Sequence, residues 1–185
     1  GLQARAFFCF DGRAKFAQLT LAAMTLAIRQ ATPADIPAIT RIYAHAVDYG
    51  TASFELTPPD EAEMTLRMNE LLARKFPYLA AELDGALVGY AYAGPYRVRP
   101  AYRHTVENSV YVEARDVGRG IGGALLAVLV EHCAARGFRQ MIAIIGGADN
   151  AASIRLHAKH GFVETGRLLA VGYKHDRWLD TVMMQ

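Results

Sequence analysis

The fold is decided by the stretch Ser109-Val-Tyr-Val-Glu-Ala-Arg-Asp-Val-Gly-Arg-Gly-Ile-Gly-Gly-Ala-Leu-Leu126. Its β-branched and aromatic start predicts a strand, its four glycines predict a tight turn, and the apolar run after them predicts a helix. Glycine lets main-chain amides approach a ligand closely, and the start of a helix adds partial positive charge. The stretch therefore predicts a pyrophosphate cradle, to which Arg119 could add a charge-assisted contact.

This glycine turn has competing interpretations. Gly118, Gly120 and Gly123 match the dinucleotide pattern G-x-G-x-x-G. That fingerprint opens a first βαβ unit and has an acid about 20 residues on, whereas this turn falls mid-chain and Phe138 stands at that distance. A phosphate loop of the Walker type is excluded because no Lys-Ser/Thr follows the glycines. A turn without a ligand stays possible, although four glycines in six positions exceed what a turn requires.

Outward from the turn, the chain predicts the order β-α-α-β-β-β-α-β-α-β-β. Thr32-Pro33-Ala34-Asp35 begins a helix that continues to Tyr49, and Thr57-Pro58-Pro59-Asp60 begins the second. The order is typical of an α/β (equally α+β) fold with a mixed sheet and helices on both faces. The other predicted elements are strands Leu26–Ala31, Tyr78–Leu83, Leu87–Ala93, Thr105–Glu113, Met141–Ile145, Val163–Tyr173 and Trp178–Met184, and helices Ala124–Arg136 and Ala151–Lys159.

Length and composition limit the classes of protein. With 185 residues, 52% of them hydrophobic, the chain is expected to form one domain with a real core. A net charge of +2 is too balanced for a protein that coats nucleic acid, and no run reaches the ~20 apolar residues of a membrane helix. We expect a single domain over residues 24–185, preceded by a leader or added extension over residues 1–23, with Met24 as the natural start.

The cysteines and histidines indicate neither a disulfide framework nor a metal site. Cys9 and Cys133 are the only two cysteines, which favours a reducing, cytoplasmic compartment, and Cys133 is expected in the core. His132, His160 and His175 lack metal-ligand spacing. No metal is therefore predicted.

Two motifs resemble the GCN5-related N-acetyltransferases. Val117-Gly-Arg-Gly-Ile-Gly122 resembles the family's acyl-CoA turn, Gln/Arg-x-x-Gly-x-Gly/Ala, and departs from it at Val117. Asn150-Ala-Ala-Ser-Ile-Arg-Leu-His-Ala-Lys-His-Gly-Phe162 resembles the second cofactor segment. The resemblance implies a mostly antiparallel central sheet, acetyl-CoA as co-substrate and pantetheine pairing along a strand. The implied cofactor-binding residues are Val110, Tyr111, Val112, Gly118, Arg119, Gly120, Ile121, Gly122, Gly123, Asn150 and Ser153.

Longer strings resemble one branch, the phosphinothricin and methionine sulfone/sulfoximine N-acetyltransferases. They include Thr105-Val-Glu-Asn-Ser-Val-Tyr-Val112 and Gly172-Tyr-Lys-His-Asp-Arg-Trp-Leu-Asp180. The branch implies direct acetyl transfer to the α-amine of a small amino-acid-like compound. It also implies a homodimer through the second helix and the last strands. Two alternatives stay open, namely acetylation of a protein N-terminus or another small amine, and a non-catalytic acyl-CoA sensor.

Acetyl transfer needs a base for the amine and a proton donor for the leaving thiolate. By resemblance, Glu107 is the base. His157 is the candidate proton donor, because it stands where many family members carry a tyrosine that acts as the general acid. The blander interpretations are a solvent-facing strand carboxylate and a structural helix histidine. By resemblance, the residues that contact the substrate are Phe54, Glu55, Arg97, Arg99 and Tyr102. For the two arginines, the alternative interpretation is a solvated basic loop.

Overall fold

The computed structural model describes residues 17–21 and 24–185. Within them, eight strands form one sheet in the order β1-β2-β3-β4-β5-β6-β8-β7. The strands are β1 (Ala17–Leu21), β2 (Met24–Gln30), β3 (Tyr78–Leu83), β4 (Ala86–Pro95), β5 (Thr105–Val112), β6 (Gln140–Gly146), β7 (Glu164–Lys174) and β8 (Arg177–Met184). The helices are α1 (Ile36–Tyr49), α2 (Glu61–Ala73), α3 (Ile121–Ala135) and α4 (Ala151–Lys159).

Only one pair of neighbouring strands is parallel. β5 pairs with β6 through Thr105–Glu107 and Gln140–Ile142 alone, and all the other neighbours are antiparallel. Past Glu107 the β5–β6 ladder ends, while β6 continues to Gly146 and pairs with β8 along its other edge from Ala143. The predicted mixed, mostly antiparallel sheet is confirmed, and the separation leaves a cleft in its middle.

Helices cover both faces of the sheet, as the sequence predicts. On one face, α1 and α2 bury Ile39 and Met68 against tyrosines of β3 and β4. On the other face, α3 buries Leu125 and Leu129 against β2 to β5. The short helix α4 lies on the α3 side, where Leu156 packs near the buried Leu126 and the side chains of β6 and β8. Cys133 is buried in the α3 layer, as predicted.

The first helix begins differently from its prediction. Thr32 and Asp35 form a capping box around a 3-10 turn, Pro33–Asp35, and the α-helix starts only at Ile36. Asp35 is buried and receives two hydrogen bonds of 2.7 Å from the Arg29 guanidinium on β2. This charge pair and burial act in opposite directions on the Asp35 carboxyl, whose pKa falls below its usual value. The cap therefore also ties the helix to the sheet.

Two further boundaries differ from prediction. Helix α3 begins at Ile121, three residues before the expected Ala124, because Gly122 and Gly123 are helical and pack closely against α4. Within the stretch set apart as an extension, Ala17–Leu21 forms β1 and pairs antiparallel with β2. The rest of that stretch, residues 1–16 and 22–23, lies outside the described residues.

Candidate active site

The site is the cleft where β5 and β6 separate. It has a volume of about 290 Å³ and its walls come from both strands, from α4 and from the segment after α1. Strands that part leave main-chain groups available to a ligand that can act as an added strand. The cleft brings together seven of the predicted site residues, which are Phe54, Glu107, Val110, Tyr111, Asn150, Ser153 and His157.

Glu107 lies at the point where the two strands part. It is half-buried and stands opposite Gly94 of β4 in the antiparallel register. Burial raises the pKa of the Glu107 carboxyl above its ordinary value, and the nearby Arg97 charge acts in the opposite direction. A carboxylate with a raised pKa is a stronger base, which suits proton transfer from an ammonium group.

His157 lies deeper in the cleft and both its ring nitrogens are engaged. Nδ1 lies 2.8 Å from the Ser153 carbonyl oxygen, and Nε2 lies 3.0 Å from the Oδ1 atom of Asn108. The Asn108 amide nitrogen donates to the Ile142 carbonyl at 3.1 Å, which orients Oδ1 towards the histidine. Burial lowers the pKa of the His157 imidazole and outweighs the Ser153 carbonyl, which acts in the opposite direction.

Two glycines make the turn before α3 possible. Gly118 and Gly120 have φ angles of +85° and +83°, a left-handed conformation that side chains rarely adopt. Gly120 is the residue before the first helical turn, so the amides that follow it have no partner within the helix. Arg119 forms an ion pair with the buried Asp116, which anchors its guanidinium beside the turn.

The second predicted cofactor segment is built around the start of α4. The Asn150 side-chain oxygen accepts a hydrogen bond of 3.2 Å from the Ser153 amide and so caps the helix. The cap places Ser153 one turn before His157, and the two side chains lie 3.4 Å apart. The side-chain carbonyl group of Asn150 is therefore occupied by the helix cap, although Asn150 still lines the cleft.

Phe54 covers one end of the cleft by lying against two glycines. A Cβ atom on Gly146 would lie 2.7 Å from the Phe54 ring, and one on Gly172 would overlap the ring. Glu55, the next predicted contact, is not a lining residue of the cleft. Its carboxylate accepts hydrogen bonds of 2.7 Å from Arg67 and 2.9 Å from the Tyr43 hydroxyl.

The basic loop between β4 and β5 carries the predicted substrate residues Arg97, Arg99 and Tyr102, which are not among the residues that line the cleft. The Arg97 guanidinium lies 5.0 Å from the centre of the Tyr96 ring, which Tyr102 contacts edge-on. Arg97, Arg99 and Tyr102 line a small depression at the surface. Arg97 is the arginine whose charge reaches Glu107.

Two buried polar residues of the site region have no assigned role in the sequence analysis. Asn108 connects β5, β6 and α4, and Lys174 donates a hydrogen bond of 2.8 Å to the Ser53 carbonyl next to Phe54. Both are less than 8% exposed. Asn108 lies inside a predicted strand and Lys174 directly after one, but their partners lie 34 to 121 residues away in the sequence.

Comparison with known proteins identifies the family. A model described as "Acetyltransferase (GNAT) domain" matches residues 28–183. The chain therefore belongs to the GNAT acetyltransferases and is an enzyme of the acyltransferase class that uses acetyl-CoA as its co-substrate. The predictions of family, enzyme class and cofactor are confirmed. Neither the dinucleotide interpretation of the glycine turn nor the non-catalytic sensor accounts for this assignment.

Within the family the chain resembles enzymes that act on amino-acid analogues. It is 50% identical over 165 residues to a phosphinothricin N-acetyltransferase of Alcaligenes faecalis, covering 89% of this chain and 84% of the relative. It is 40% identical to an L-methionine sulfoximine/L-methionine sulfone acetyltransferase of Pseudomonas paraeruginosa, with coverages of 88% and 94%. A phosphinothricin acetyltransferase structure from Sinorhizobium meliloti, in complex with AcCoA, superposes with a TM-score of 0.84 at 48% identity, covering 86% of each chain.

Over residues 17–21 and 24–185, no three or more His, Cys, Asp or Glu side chains are grouped so that they could hold a metal ion. In the same part of the chain, every helix is too short or too polar to cross a membrane.

Proposed function

We propose that this enzyme transfers acetyl from acetyl-CoA directly to the α-amine of a small amino-acid-like substrate of the phosphinothricin or methionine sulfone/sulfoximine type. The similarity to acetyltransferases of these compounds supports this substrate class. The observation that carries the mechanism is the meeting of Glu107 and His157 in one cleft at the parting of β5 and β6.

Glu107 is proposed as the base that removes a proton from the substrate ammonium group. Such an amine has a pKa of about 8 or higher and is mostly protonated at neutral pH, so attack on the thioester needs a proton acceptor. The half-buried position of Glu107 and its raised pKa support this role. The free amine then attacks the thioester carbonyl, forming the amide C–N bond as the C–S bond breaks.

His157 is proposed as the proton donor to the departing CoA sulfur. It is the one histidine among the residues that line the cleft in the described structure. Its ring nitrogens lie within hydrogen-bonding distance of the Ser153 carbonyl and the Asn108 side-chain oxygen, which orient the ring, and the lowered pKa makes the imidazolium a stronger proton donor. To reach the sulfur, Nε2 must leave Asn108, so the transfer requires the exchange of one hydrogen bond for another.

Acetyl-CoA is proposed to bind along the inner side of β5 and on the glycine turn. The main chain of Val110, Tyr111 and Val112 is free of β6 on the cleft side and suits pairing with pantetheine. The amides following Gly118 and Gly120, including those of Ile121, Gly122 and Gly123, suit the pyrophosphate. Arg119, Asn150 and Ser153 complete the proposed set at the rim.

The substrate's carboxylate is proposed to be recognised by the basic loop, and Phe54 is proposed to line the amine side of the cleft. Arg97 lies close enough to Glu107 to affect its pKa, so it suits a carboxylate attached to the carbon that bears the amine. Arg99 and Tyr102 lie further along the same loop. Glu55 follows Phe54 directly in the sequence. Because its carboxylate is bonded to Arg67, its proposed role is indirect, namely to hold this segment in position.

The test is a panel of acetyl acceptors with release of free CoA thiol as the readout. Phosphinothricin, methionine sulfone and methionine sulfoximine should be turned over, and a short peptide with a free N-terminal alanine should not. A preference for the peptide would support acetylation of protein N-termini and contradict the proposal. A methyl ester of methionine sulfone serves as the control for recognition of the carboxylate.

We also propose a homodimer, formed through the last strands. The edge strand β7 is exposed along nearly its whole length, and Leu169, Val171 and Tyr173 stand among its exposed residues. Trp178 of β8 is 67% exposed and lies edge-on to Tyr173 at 5.2 Å. An open strand edge rich in apolar side chains is a surface that proteins normally cover. The second helix adds Leu66, which is also exposed.

A cytoplasmic location is proposed on chemical grounds. Cys133 is free and buried, and burial raises the pKa of its thiol to about 12, so the thiol is inert and needs no oxidising compartment. Acetyl-CoA is made and used inside cells. Fractionation of cells that express the full protein, with the acetyltransferase activity as the readout, tests the location.

A further inference from the structure

The segment after α1, residues 51–55, forms one wall of the cleft and is held from three sides. Its members that line the cleft are Ala52, Ser53 and Phe54. Helix α1 holds the segment through the Tyr43 hydroxyl, which lies 2.9 Å from the Ser53 hydroxyl oxygen. On the β6 side, the Thr51 hydroxyl donates a hydrogen bond of 3.3 Å to the carbonyl oxygen of Gly146. The third side is β7, which contacts the segment through a buried ammonium group.

Strand β7 meets this segment at two positions on one of its faces. Gly172 and Lys174 are two residues apart on the strand and therefore face the same side. At Gly172, a Cβ atom would overlap with the Phe54 ring. At Lys174, the ammonium group donates a hydrogen bond of 2.8 Å to the Ser53 carbonyl oxygen. The lysine thus binds the peptide group that joins Ser53 to Phe54, and the glycine makes room for the ring that follows.

The ammonium group of Lys174 is buried at a cost in free energy. The residue is 4% exposed, and within the described part of the chain its ammonium group forms an ion pair with no carboxylate. Burial lowers the pKa of this group, while the charges of Asp48 and Glu55 act in the opposite direction. Burial of a charge without an ion-pair partner disfavours folding. This cost indicates that Lys174 serves the cleft more than the stability of the fold.

We propose that Lys174 is a positioning residue for acetyl transfer, which fixes the Ser53 carbonyl and thereby holds Phe54 in place as a wall for the acetyl acceptor. Because a peptide group is planar, a fixed carbonyl oxygen also fixes the amide nitrogen of Phe54. Phe54 and Glu107 line the same cleft, so a displaced ring alters the space in which the amine meets the base. The inference rests on the proposed function, in which Phe54 lines the amine side of the cleft.

The experiment is a double-mutant cycle of Lys174 and Phe54, with methionine sulfone as the acceptor. Lys174→Met keeps a stem of similar length and removes the ammonium group. It should lower kcat/KM for the acceptor by about ten- to a hundred-fold, as expected for a contact group displaced by up to about 1 Å, and leave acetyl-CoA affinity near that of the wild type. In a Phe54→Ala background it should cause little further loss, because the ring it positions is absent. Arg167→Met, at an exposed ion pair on the same strand, is the control and should change neither value.

Thermal unfolding and amide exchange provide independent readouts. Lys174→Met should unfold near the wild-type temperature, because the lost hydrogen bond is offset by the removal of a buried charge, and hydrogen–deuterium exchange in residues 51–55 should become faster. Unchanged kcat/KM, or an equal loss with and without the Phe54 ring, would overturn the positioning role and leave the proposed function standing. Lys174→Gln, which keeps a neutral N–H donor, takes the place of Lys174→Met in the cycle if the latter does not fold. If the wild type acetylates no amino acid of the panel, the proposed function fails, and the exchange rate of residues 51–55 alone then decides the role of Lys174.

Discussion

At the scale of single residues, the site depends on two side chains whose pKa values burial shifts in opposite directions. Burial raises the pKa of the Glu107 carboxyl and lowers that of the His157 imidazole. In both cases the charged form is disfavoured. The Glu107 carboxylate is therefore a stronger base, and the His157 imidazolium a stronger acid, than the same group in water. The fold holds the two on different elements, β5 and α4, and Asn108 connects them.

The first prediction concerns the base. Glu107→Gln keeps the shape of the side chain and removes its ability to take a proton. Turnover should fall by about 10²–10⁴-fold, the usual contribution of one acid–base group, and acetyl-CoA affinity should stay near that of the wild type. Steady-state rates together with cofactor titration check this, and unchanged turnover would exclude Glu107 as the base.

The second prediction concerns pH. The base must be deprotonated, so kcat/KM should fall on the acid side as pH drops through the raised pKa of Glu107. Arg97 lowers that pKa, and Arg97→Ala should therefore raise it and move the acid limb to higher pH. Arg99→Ala is the matched control on the same loop and should leave the limb in place. If both variants moved the limb equally, a general charge effect would be the cause.

At the scale of elements, local sequence patterns predicted most ends of helices and strands. They were wrong where tertiary packing sets the end of the element. Helix α4 matches its prediction at both ends because Asn150 caps it and Gly161 ends it with a φ angle of +87°. Helix α3 begins early because the glycines taken for a turn allow close contact with Leu156 and His160. A local pattern contains no information about a partner helix thirty residues away.

The candidate site was predictable to a similar extent. Glu107 and His157 came from local strings, and the structure brings them to one cleft. The engagement of Glu55 with Arg67 and Tyr43 was not predictable, because these partners come from α2 and α1. The hydrogen bond between Lys174 and Ser53 is likewise a product of tertiary packing, since the sequence shows only a lysine directly after a predicted strand.

The third prediction concerns the turn before α3. Gly120→Asp adds negative charge where the pyrophosphate is proposed to lie, while Gly120→Asn adds nearly the same volume without charge and tolerates the left-handed conformation. For the wild type, acetyl-CoA at 100 times its Kd should contribute about 2.7 kcal/mol of stability, a rise of roughly 5–10 °C in Tm. Gly120→Asp should lose this rise, and Gly120→Asn should keep more of it. Thermal melts with and without acetyl-CoA measure it, and full protection of the Asp variant would contradict the proposed pyrophosphate site.

At the scale of the whole molecule, the sheet ends in two edge strands, β1 and β7. The β1 end is formed by a strand from the stretch that sequence reasoning set apart, and β7 forms the other edge. Nearly all of β7 is exposed, and register shifts interrupt its pairing with β8 between Leu168 and Gly172. The open edge is the molecular basis of the proposed homodimer.

The fourth prediction tests that homodimer. Trp178→Asp places a charge in the exposed apolar surface of β7 and β8 and should halve the mass in solution, while the far-ultraviolet circular dichroism stays unchanged. Leu56→Asp, at a similarly exposed residue outside the last strands, is the control and should leave the mass unchanged. Light scattering at several concentrations measures both. A wild type that is already monomeric would contradict the proposal.

The short parallel ladder between β5 and β6 has a mechanical consequence. It joins the two halves of the sheet at three residue pairs, and Glu107 is the last residue of the ladder on β5. If the halves rotate about this line as about a hinge, points far from it, such as the glycine turn after β5, travel furthest. The Glu107 carboxylate, close to the axis, hardly moves. A rotation of this kind would widen or narrow the cleft while Glu107 kept its place.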